Sequence, residues 1–346
     1  MAEQLNELIR IADWHWTALL ATLIVSVLAL GKGADWLVEE AVAISLRFHV
    51  PRAIVGATIV SLGTTTPEAA VSVLAALAGN PGLALGNAVG SIICDTGLIL
   101  GLACLISPIK FDPAIVNRQG WVQLGCGVLL VAVCFPWSAP AMALKVGSTM
   151  LRIAGFVFLG LLAAYIVWSV RMAKSQSAED EPEELPSHGM VPGILNFLIA
   201  IVIVLVSSTF LIAAATELAE RMQIPPAVIA ATLIAFGTSL PELMIVITAT
   251  LKGHGEIAVG NVIGADILNV LFVAGAAAAV TPAGLHADPV FFRLQFPAML
   301  FVLFAFRLGI WTARDGKLSR RLGIFLLLAY VAVTVASFVL IGKVGH

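Results

Sequence analysis

Two short runs of residues place unusual chemistry inside long apolar segments. Gly63-Thr64-Thr65-Thr66-Pro67-Glu68 interrupts one segment, and Gly237-Thr238-Ser239-Leu240-Pro241-Glu242 interrupts another, 174 residues later. Each proline lacks an amide hydrogen and leaves an upstream carbonyl oxygen without its usual helical partner. With the hydroxyls and the glutamate, each run supplies hard oxygen ligands, which suit Na⁺ or Ca²⁺ rather than a soft metal.

The two glutamates, Glu68 and Glu242, are the residues on which the functional interpretation depends. A charged side chain at the centre of a bilayer costs at least about 2.5–3.5 kcal/mol, and such residues usually mark an ion path. Two of them would repel each other unless a cation or a proton lay between them. The alternative is a pair of protonated, hydrogen-bonded core acids. It does not explain why proline, threonine and glutamate recur as a block.

A second pair of motifs follows the first at constant spacing. Gly86-Asn87-Ala88-Val89-Gly90-Ser91 precedes Asp95, and Gly260-Asn261-Val262-Ile263-Gly264-Ala265 precedes Asn269. Glycines four residues apart allow two membrane helices to approach closely. Asp95 lies 27 residues after Glu68, and Asn269 lies 27 residues after Glu242. We therefore expect Asp95 as a third acid of the site, with Asn269 as its neutral counterpart.

Two details of these motifs bear on that expectation. Ser91 lies one helical turn before Asp95 and on the same face. For Asn269 alone, a simple hydrogen bond between helices is the alternative interpretation.

The two halves of the chain form an internal repeat. When residues 57–95 are placed over 231–269, fourteen of the thirty-nine positions are identical. The identities include the Pro-Glu and Gly-Asn pairs, whereas a chance match of two apolar helices would give mainly Ala and Leu. The repeat indicates that both halves contribute to one site.

The composition indicates an integral membrane protein. Of the 346 residues, 60% are hydrophobic and 12% are charged, and the mean hydropathy is +1.02. Soluble domains carry about 25% charged residues. The apolar stretches have the length of membrane helices rather than of barrel strands.

The chain is predicted to be all-α, with ten transmembrane helices arranged as two inverted five-helix repeats and broken helices at the ion site. The first repeat is predicted over 1–171, an acidic linker over 172–191, and the second repeat over 192–346. The predicted helices cover 16–48, 52–78, 83–108, 119–137, 148–171, 192–221, 226–251, 257–281, 289–311 and 320–342.

The distribution of basic residues orients these helices. The connections on the side of the 172–191 linker hold twelve Lys and Arg residues, and the opposite side holds six. Positive connections stay in the cytoplasm. We therefore expect the linker to be cytoplasmic and both termini to lie outside. Five helices per half then place the second half upside down relative to the first.

The duplicated Gly-Thr-x-x-Pro-Glu and Gly-Asn-x-x-Gly motifs resemble the two α-repeats of the sodium/calcium exchanger (Ca²⁺:cation antiporter) family, in its prokaryotic form. The resemblance covers nearly the whole chain. It implies that Glu68 and Glu242 are the central Ca²⁺ ligands and that the same site alternately holds Na⁺. It also implies that the first and sixth predicted helices slide across the site to alternate access.

The resemblance assigns further ligands residue by residue. Thr64 and Thr238 match residues that bind through backbone carbonyls, and Thr65 and Ser239 match the hydroxyl ligands. The remaining matches are Ser61 and Ala235 for backbone oxygens, Ser91 for a polar ligand, and Asp95 with Asn269 for an Asn/Asp pair near the middle of the site.

The sequence departs from the family pattern at several positions. Thr65-Thr66 replaces the usual Ser-Leu, Ala265 lacks the hydroxyl of Ser91, and Ile92 replaces a commonly polar residue opposite Asp266. Many relatives carry Asn in the first repeat and Asp in the second, the reverse of Asp95 and Asn269. These departures leave cation antiport as the expectation and leave the driving ion open.

The leading hypothesis is therefore exchange of Ca²⁺ for Na⁺, and the nearest alternative is H⁺-coupled exchange of Ca²⁺ or another divalent cation. An intramembrane enzyme and a passive channel fit the duplicated Pro-Glu motif less well. We expect no organic cofactor and no nucleic-acid partner; the partners are inorganic cations and the lipid bilayer. We also expect a functional monomer in the inner (plasma) membrane.

Overall fold

The computed structural model describes residues 13–175, 189–223, 237–313 and 316–344, and most of them are helical. In chain order the helices are α1 Trp16–Phe48, α2 Arg52–Thr64, α3 Thr66–Leu77, α4 Pro81–Ile106, α5 Pro113–Cys134, α6 Arg152–Ser175, α7 Met190–Arg221, α8 Leu240–Leu251, α9 Gly255–Val280, α10 Phe291–Thr312 and α11 Arg320–Val344. The strands are β1 Ile109–Lys110, β2 Ser148–Met150, β3 Leu285–Ala287 and β4 Lys317–Leu318.

Most of these helices are long and apolar enough to cross a bilayer. Within the described residues seven meet that condition, namely α1, α4, α6, α7, α9, α10 and α11, and α2 with α3 would add an eighth as one bent span. Helix α5 carries Asn117, Arg118, Gln119 and Gln123 in its first half, and α8 is described over 12 residues. The chain is thus a multi-pass membrane protein, while the count of ten spans stays a prediction.

The predicted helices agree with the structure except at some ends. Helix α5 begins at Pro113, well before the predicted 119, because the Asp112 side chain accepts hydrogen bonds from the backbone N–H groups of Ala114 and Ile115 and caps the helix. Helix α6 begins at Arg152 rather than 148. Residues 224–236, which include the start of the predicted helix 226–251, lie outside the described residues.

Two short antiparallel ribbons correct the all-α expectation. Strand β2 pairs with β3, with Thr149 opposite His286, and β1 pairs with β4, with Ile109 opposite Leu318. Both ribbons join connections that are far apart in sequence. Because their strands have two or three residues, they carry too little alternation to be visible in the sequence pattern.

The structure describes only the two ends of the predicted linker. Helix α6 continues to Ser175 and α7 already begins at Met190. Both ends of the predicted segment 172–191 are therefore helical. Its acidic centre, residues 176–188, lies outside the described residues, and the division into repeats over 1–171 and 192–346 stays a prediction.

Glycines bring α2 into backbone contact with α9. A methyl group on Gly264 would lie 2.4 Å from the Ala57 carbonyl oxygen and 2.5 Å from the Ser61 hydroxyl. One on Gly260 would lie 2.3 Å from the Ala53 carbonyl oxygen. The four-residue spacing of small residues thus lets the two helices approach closely, as the sequence indicated. Helix α9 is almost wholly enclosed by its neighbours.

Helices α1 and α7 form a pair beside this core. Gly33 of α1 lies directly against Ile203 and Val204 of α7, and the Asn196 amide donates a hydrogen bond of 3.1 Å to Glu40. Helix α7 also covers both Pro-Glu motifs, since Ile201 lies against Gly63 and Ile212 against Gly237.

An ion-pair cluster joins α1 to the end of α8. The Lys252 Nζ lies 2.8 Å from Glu39 Oε1 and 3.2 Å from Asp35 Oδ1. All three side chains are partly exposed, so the cluster contributes at most about 1 kcal/mol. These ion pairs are too weak to hold α1 in a fixed position relative to α8.

Candidate ion-binding site

The first Pro-Glu motif joins the end of one helix to the start of the next. Helix α2 ends at Thr64, and α3 departs from it at an angle of 43° after Thr65. Pro67 lies in the first turn of α3, where a missing N–H costs no hydrogen bond. Glu68 follows in the same turn, near the partial positive charge of the helix N-terminus. The proline therefore places the glutamate at a buried helix start.

For the second motif the structure describes the helix that follows. Helix α8 begins at Leu240, with Pro241 and Glu242 in its first turn. Glu68 and Glu242 are almost fully buried, each exposing 2% of its surface or less. Two helix N-terminal turns therefore each present a carboxylate to the protein interior.

The two motifs meet. The Thr65 hydroxyl of the first motif lies 3.5 Å from Glu242 Oε1 of the second, at the long limit of a hydrogen bond. Glu68 lies three residues after Thr65, in the first turn of α3. The two motifs, 174 positions apart in sequence, thus face one enclosed region, as the repeat predicted.

Asp95 and Asn269 also meet. The Asn269 amide donates a hydrogen bond of 3.4 Å to Asp95 Oδ2. Asp95 lies within a π-helical turn of α4, Cys94–Ile99, and Asn269 begins the π-helical turn of α9, Asn269–Ala274. Such turns often occur at functional sites, because the extra residue leaves part of the hydrogen-bond ladder open.

The enclosed region contains many oxygen atoms without hydrogen bonds. Within the described residues, no partner is present for Glu68 Oε2, Glu242 Oε2, Asp95 Oδ1, Asp266 Oδ1, Asn269 Oδ1, Thr238 Oγ1 and Ser239 Oγ. Buried polar atoms are normally paired. None of the ion pairs formed by the described residues reaches these acids. A hard cation would satisfy both the open oxygens and the negative charge.

The carboxylates alone do not make this a closed metal centre. Among the described residues, no three His, Cys, Asp or Glu side chains converge tightly enough to hold an ion by themselves. A cation here would also need hydroxyl, amide and backbone oxygens. Such a mixed, loosely assembled ligand set suits an ion that must enter and leave.

The other predicted ligands take different positions. The Ser61 carbonyl oxygen accepts hydrogen bonds from the Thr65 N–H at 2.8 Å and the Thr64 hydroxyl at 3.2 Å, so it is engaged within its own helix. Ser91 is buried on α4, and the described residues offer it no hydrogen bond to the rest of the site. Ala235 lies outside the described residues.

Sequence reasoning missed two amides that support the site. The Asn87 side chain donates to the Glu68 carbonyl oxygen at 3.3 Å and to the Ser72 hydroxyl at 3.0 Å, which ties α4 to the start of α3. The Gln123 side chain of α5 donates to Asp266 Oδ2 at 2.6 Å. Asn87 belongs to the Gly-Asn motif and could have been assigned a role from it, whereas Gln123 lies outside every motif.

Comparison with known protein families matches both halves of the chain. The family model described as sodium/calcium exchanger protein matches residues 18–171 and 192–339. The chain belongs to the sodium/calcium exchanger family. Both matched segments contain one Pro-Glu motif and one Gly-Asn-x-x-Gly motif. The expected family membership is therefore confirmed.

Individual relatives cover almost the entire chain. The Escherichia coli inner membrane protein YrbG is 33% identical over 88% of this chain and 92% of its own length. Sodium/calcium exchanger MaX1 from Methanosarcina acetivorans is 28% identical over 91% of this chain and 97% of its own. The solved structure of the sodium-calcium exchanger NCX_Mj superposes with a TM-score of 0.77 at 30% identity, covering 92% of this chain and 98% of that one.

If the open oxygens bind Ca²⁺, the ion should stabilise the purified protein against heat. A ligand at one hundred times its dissociation constant adds about 2.7 kcal/mol to the folded state. We expect Ca²⁺ to raise the melting temperature of the wild-type protein in detergent, and Glu68→Gln to abolish most of that increase.

The matched control is Glu217→Gln, which removes a carboxylate that lies in neither Pro-Glu motif and pairs with Arg221 at 2.6 Å on α7. Differential scanning fluorimetry with and without Ca²⁺ measures the effect. An equal increase in the wild-type protein and in Glu68→Gln would place the ion elsewhere.

Proposed function

We propose that this protein is a secondary active antiporter that exchanges Ca²⁺ for Na⁺ across the membrane. The observation that carries the proposal is the set of buried, unpaired oxygens at the meeting of two Pro-Glu motifs, with Glu68 and Glu242 at its centre. Membership of the sodium/calcium exchanger family and the names of MaX1 and NCX_Mj support it. The ligands we propose for the transported ions are Glu68, Glu242, Thr64, Thr238, Thr65, Ser239, Ser61, Ala235, Ser91, Asp95 and Asn269.

The proposed mechanism follows from the charge of the site. Glu68, Glu242 and Asp95 leave an empty site with an uncompensated negative charge inside the membrane. The cost of burying such charges disfavours movement of the empty carrier. One Ca²⁺, or several Na⁺ ions in its place, offsets the charge and allows the access route to change. Exchange is then obligatory, because the protein crosses between its two conformations only when it is loaded.

We propose that α1 and α7 are the elements that move. They pack on each other through Gly33 and lie beside the core, whereas α9 is enclosed. In the proposed inverted arrangement, they are the first helices of the two repeats. Sliding this pair past the two Pro-Glu motifs would open the site first to one side and then to the other.

Fixing α1 to α8 should therefore stop exchange. We expect that a short bis-methanethiosulfonate reagent joining Glu39→Cys to Lys252→Cys blocks Ca²⁺ flux, and that reduction restores it. The two native side chains touch at 2.8 Å, and the four native cysteines are buried. Each single-cysteine variant with the same reagent is the control. Undiminished flux in fully cross-linked protein would contradict the proposed motion.

The proposed activity is tested by ⁴⁵Ca²⁺ uptake into Na⁺-loaded proteoliposomes at two pH values. We expect uptake only with an outward Na⁺ gradient. Glu242→Gln should reduce it to the level of protein-free liposomes, because a central ligand and its charge are lost. Glu217→Gln should leave it unchanged.

The alternatives give different results in the same experiment. Uptake that ignores Na⁺ and follows a proton gradient would contradict sodium coupling and select the H⁺-coupled exchanger. Undiminished coupled uptake in Glu242→Gln would contradict the assigned site. No uptake under either gradient would mean that Ca²⁺ is not the cargo.

A further inference from the structure

Asp266 is a fourth buried acid near the site, and it lies in neither Pro-Glu motif. It is carried by α9 and exposes 2% of its surface. Its Oδ2 accepts hydrogen bonds from the Thr96 hydroxyl at 2.5 Å and from the Gln123 amide at 2.6 Å. Thr96 follows Asp95 directly on α4, and Gln123 belongs to α5. Three helices therefore converge on this one carboxylate.

The hydrogen bonds leave one side of the carboxylate open. Gln123 Nε2 can only donate, and the Thr96 hydroxyl accepts from it at 3.4 Å while donating to Asp266. Both donors thus use Oδ2. Asp266 Oδ1 is buried and has no partner within the described residues. The two donors orient the carboxylate, and its free oxygen remains available for a ligand.

This polar cluster exists on one side of the internal repeat alone. At the 174-residue shift, Ile92 is the counterpart of Asp266 and Val270 is the counterpart of Thr96. Ile92 and Val270 are as deeply buried as their polar counterparts. The fold therefore accommodates apolar residues at these positions. Packing alone does not explain why the other side carries a carboxylate and a hydroxyl.

The electrostatic surroundings indicate a positively charged ligand. Asp95 directly precedes Thr96, whose hydroxyl donates to Asp266, and no ion pair within the described residues reaches Asp266. Asp95 Oδ1 and Asn269 Oδ1 are further buried oxygens without partners. Na⁺ ions that replace one Ca²⁺ carry one charge each, so they need more separate oxygen sites than Ca²⁺ does.

We propose that Asp266, oriented by Thr96 and Gln123, forms a separate Na⁺ subsite beside the central cation site. A single open carboxylate oxygen with neutral amide and hydroxyl neighbours suits a monovalent hard cation, because Ca²⁺ usually takes several carboxylates. The subsite rests on the proposed Na⁺/Ca²⁺ exchange and specifies where one of the Na⁺ ions would bind. It adds one Na⁺ to the number that the protein binds, and it makes that number depend on Asp266.

The test is equilibrium binding of ²²Na⁺ and, separately, of ⁴⁵Ca²⁺ to the purified full-length protein in detergent. We expect Asp266→Asn to bind one Na⁺ fewer per chain at saturation and to keep its Ca²⁺ binding. Asp288→Asn is the matched control, because it makes the same change at an exposed carboxylate. It should bind as many Na⁺ ions as the wild-type protein.

Thr96→Val keeps the charge of Asp266 and gives Thr96 the identity of its counterpart Val270. We expect the Na⁺ concentration at half-saturation to rise about tenfold, equivalent to about 1.4 kcal/mol, with the number of sites unchanged. Gel filtration and circular dichroism report folding of each variant. If Asp266→Asn does not fold, the Thr96→Val result decides the question.

The outcomes separate this inference from the proposed function. A wild-type protein that binds Na⁺, with an unchanged number of sites in Asp266→Asn, would overturn the subsite and leave Na⁺/Ca²⁺ exchange standing. An unchanged half-saturation in Thr96→Val would overturn the role of the cluster. A wild-type protein that binds Ca²⁺ but no Na⁺ would overturn both the subsite and sodium coupling.

Discussion

The burial of several carboxylates without a basic partner is the constraint on which the described structure depends. Glu68, Glu242, Asp95 and Asp266 expose at most 2% of their surface, and no ion pair among the described residues offsets them. In the membrane interior such charges are costly. The positions of Glu68 and Glu242 at helix N-termini reduce that cost. A bound cation would offset the remaining charge.

The surrounding packing keeps these acids together. Gly260 and Gly264 let α9 lie against the backbone of α2, which brings the π-helical turn at Asn269 close to the first Pro-Glu motif. Asn87 ties α4 to the backbone at Glu68. The core around the acids is therefore close-packed. We propose that movement is left to α1 and α7, which pack on each other beside this core.

Much of this arrangement could be predicted from the sequence, because the repeat provides two copies of each signal. The meeting of the two Pro-Glu motifs and of Asp95 with Asn269 follows from motifs at equal spacing, and the structure brings both together. Helix α5 begins earlier than predicted, because the polar residues Asn117 and Arg118 hide its start in the sequence pattern. Gln123 and Thr96 could not be assigned, since a single polar residue in an apolar helix does not reveal its partner.

The central claim is that the two Pro-Glu motifs hold the transported divalent ion between them. Anomalous diffraction from crystals soaked in Sr²⁺, a heavier analogue of Ca²⁺, measures the ion position directly. We expect a single strong anomalous peak within coordination distance of the Glu68 and Glu242 carboxylates, and its loss in Glu242→Gln crystals. A peak away from both carboxylates, or none at a saturating Sr²⁺ concentration, would contradict the claim.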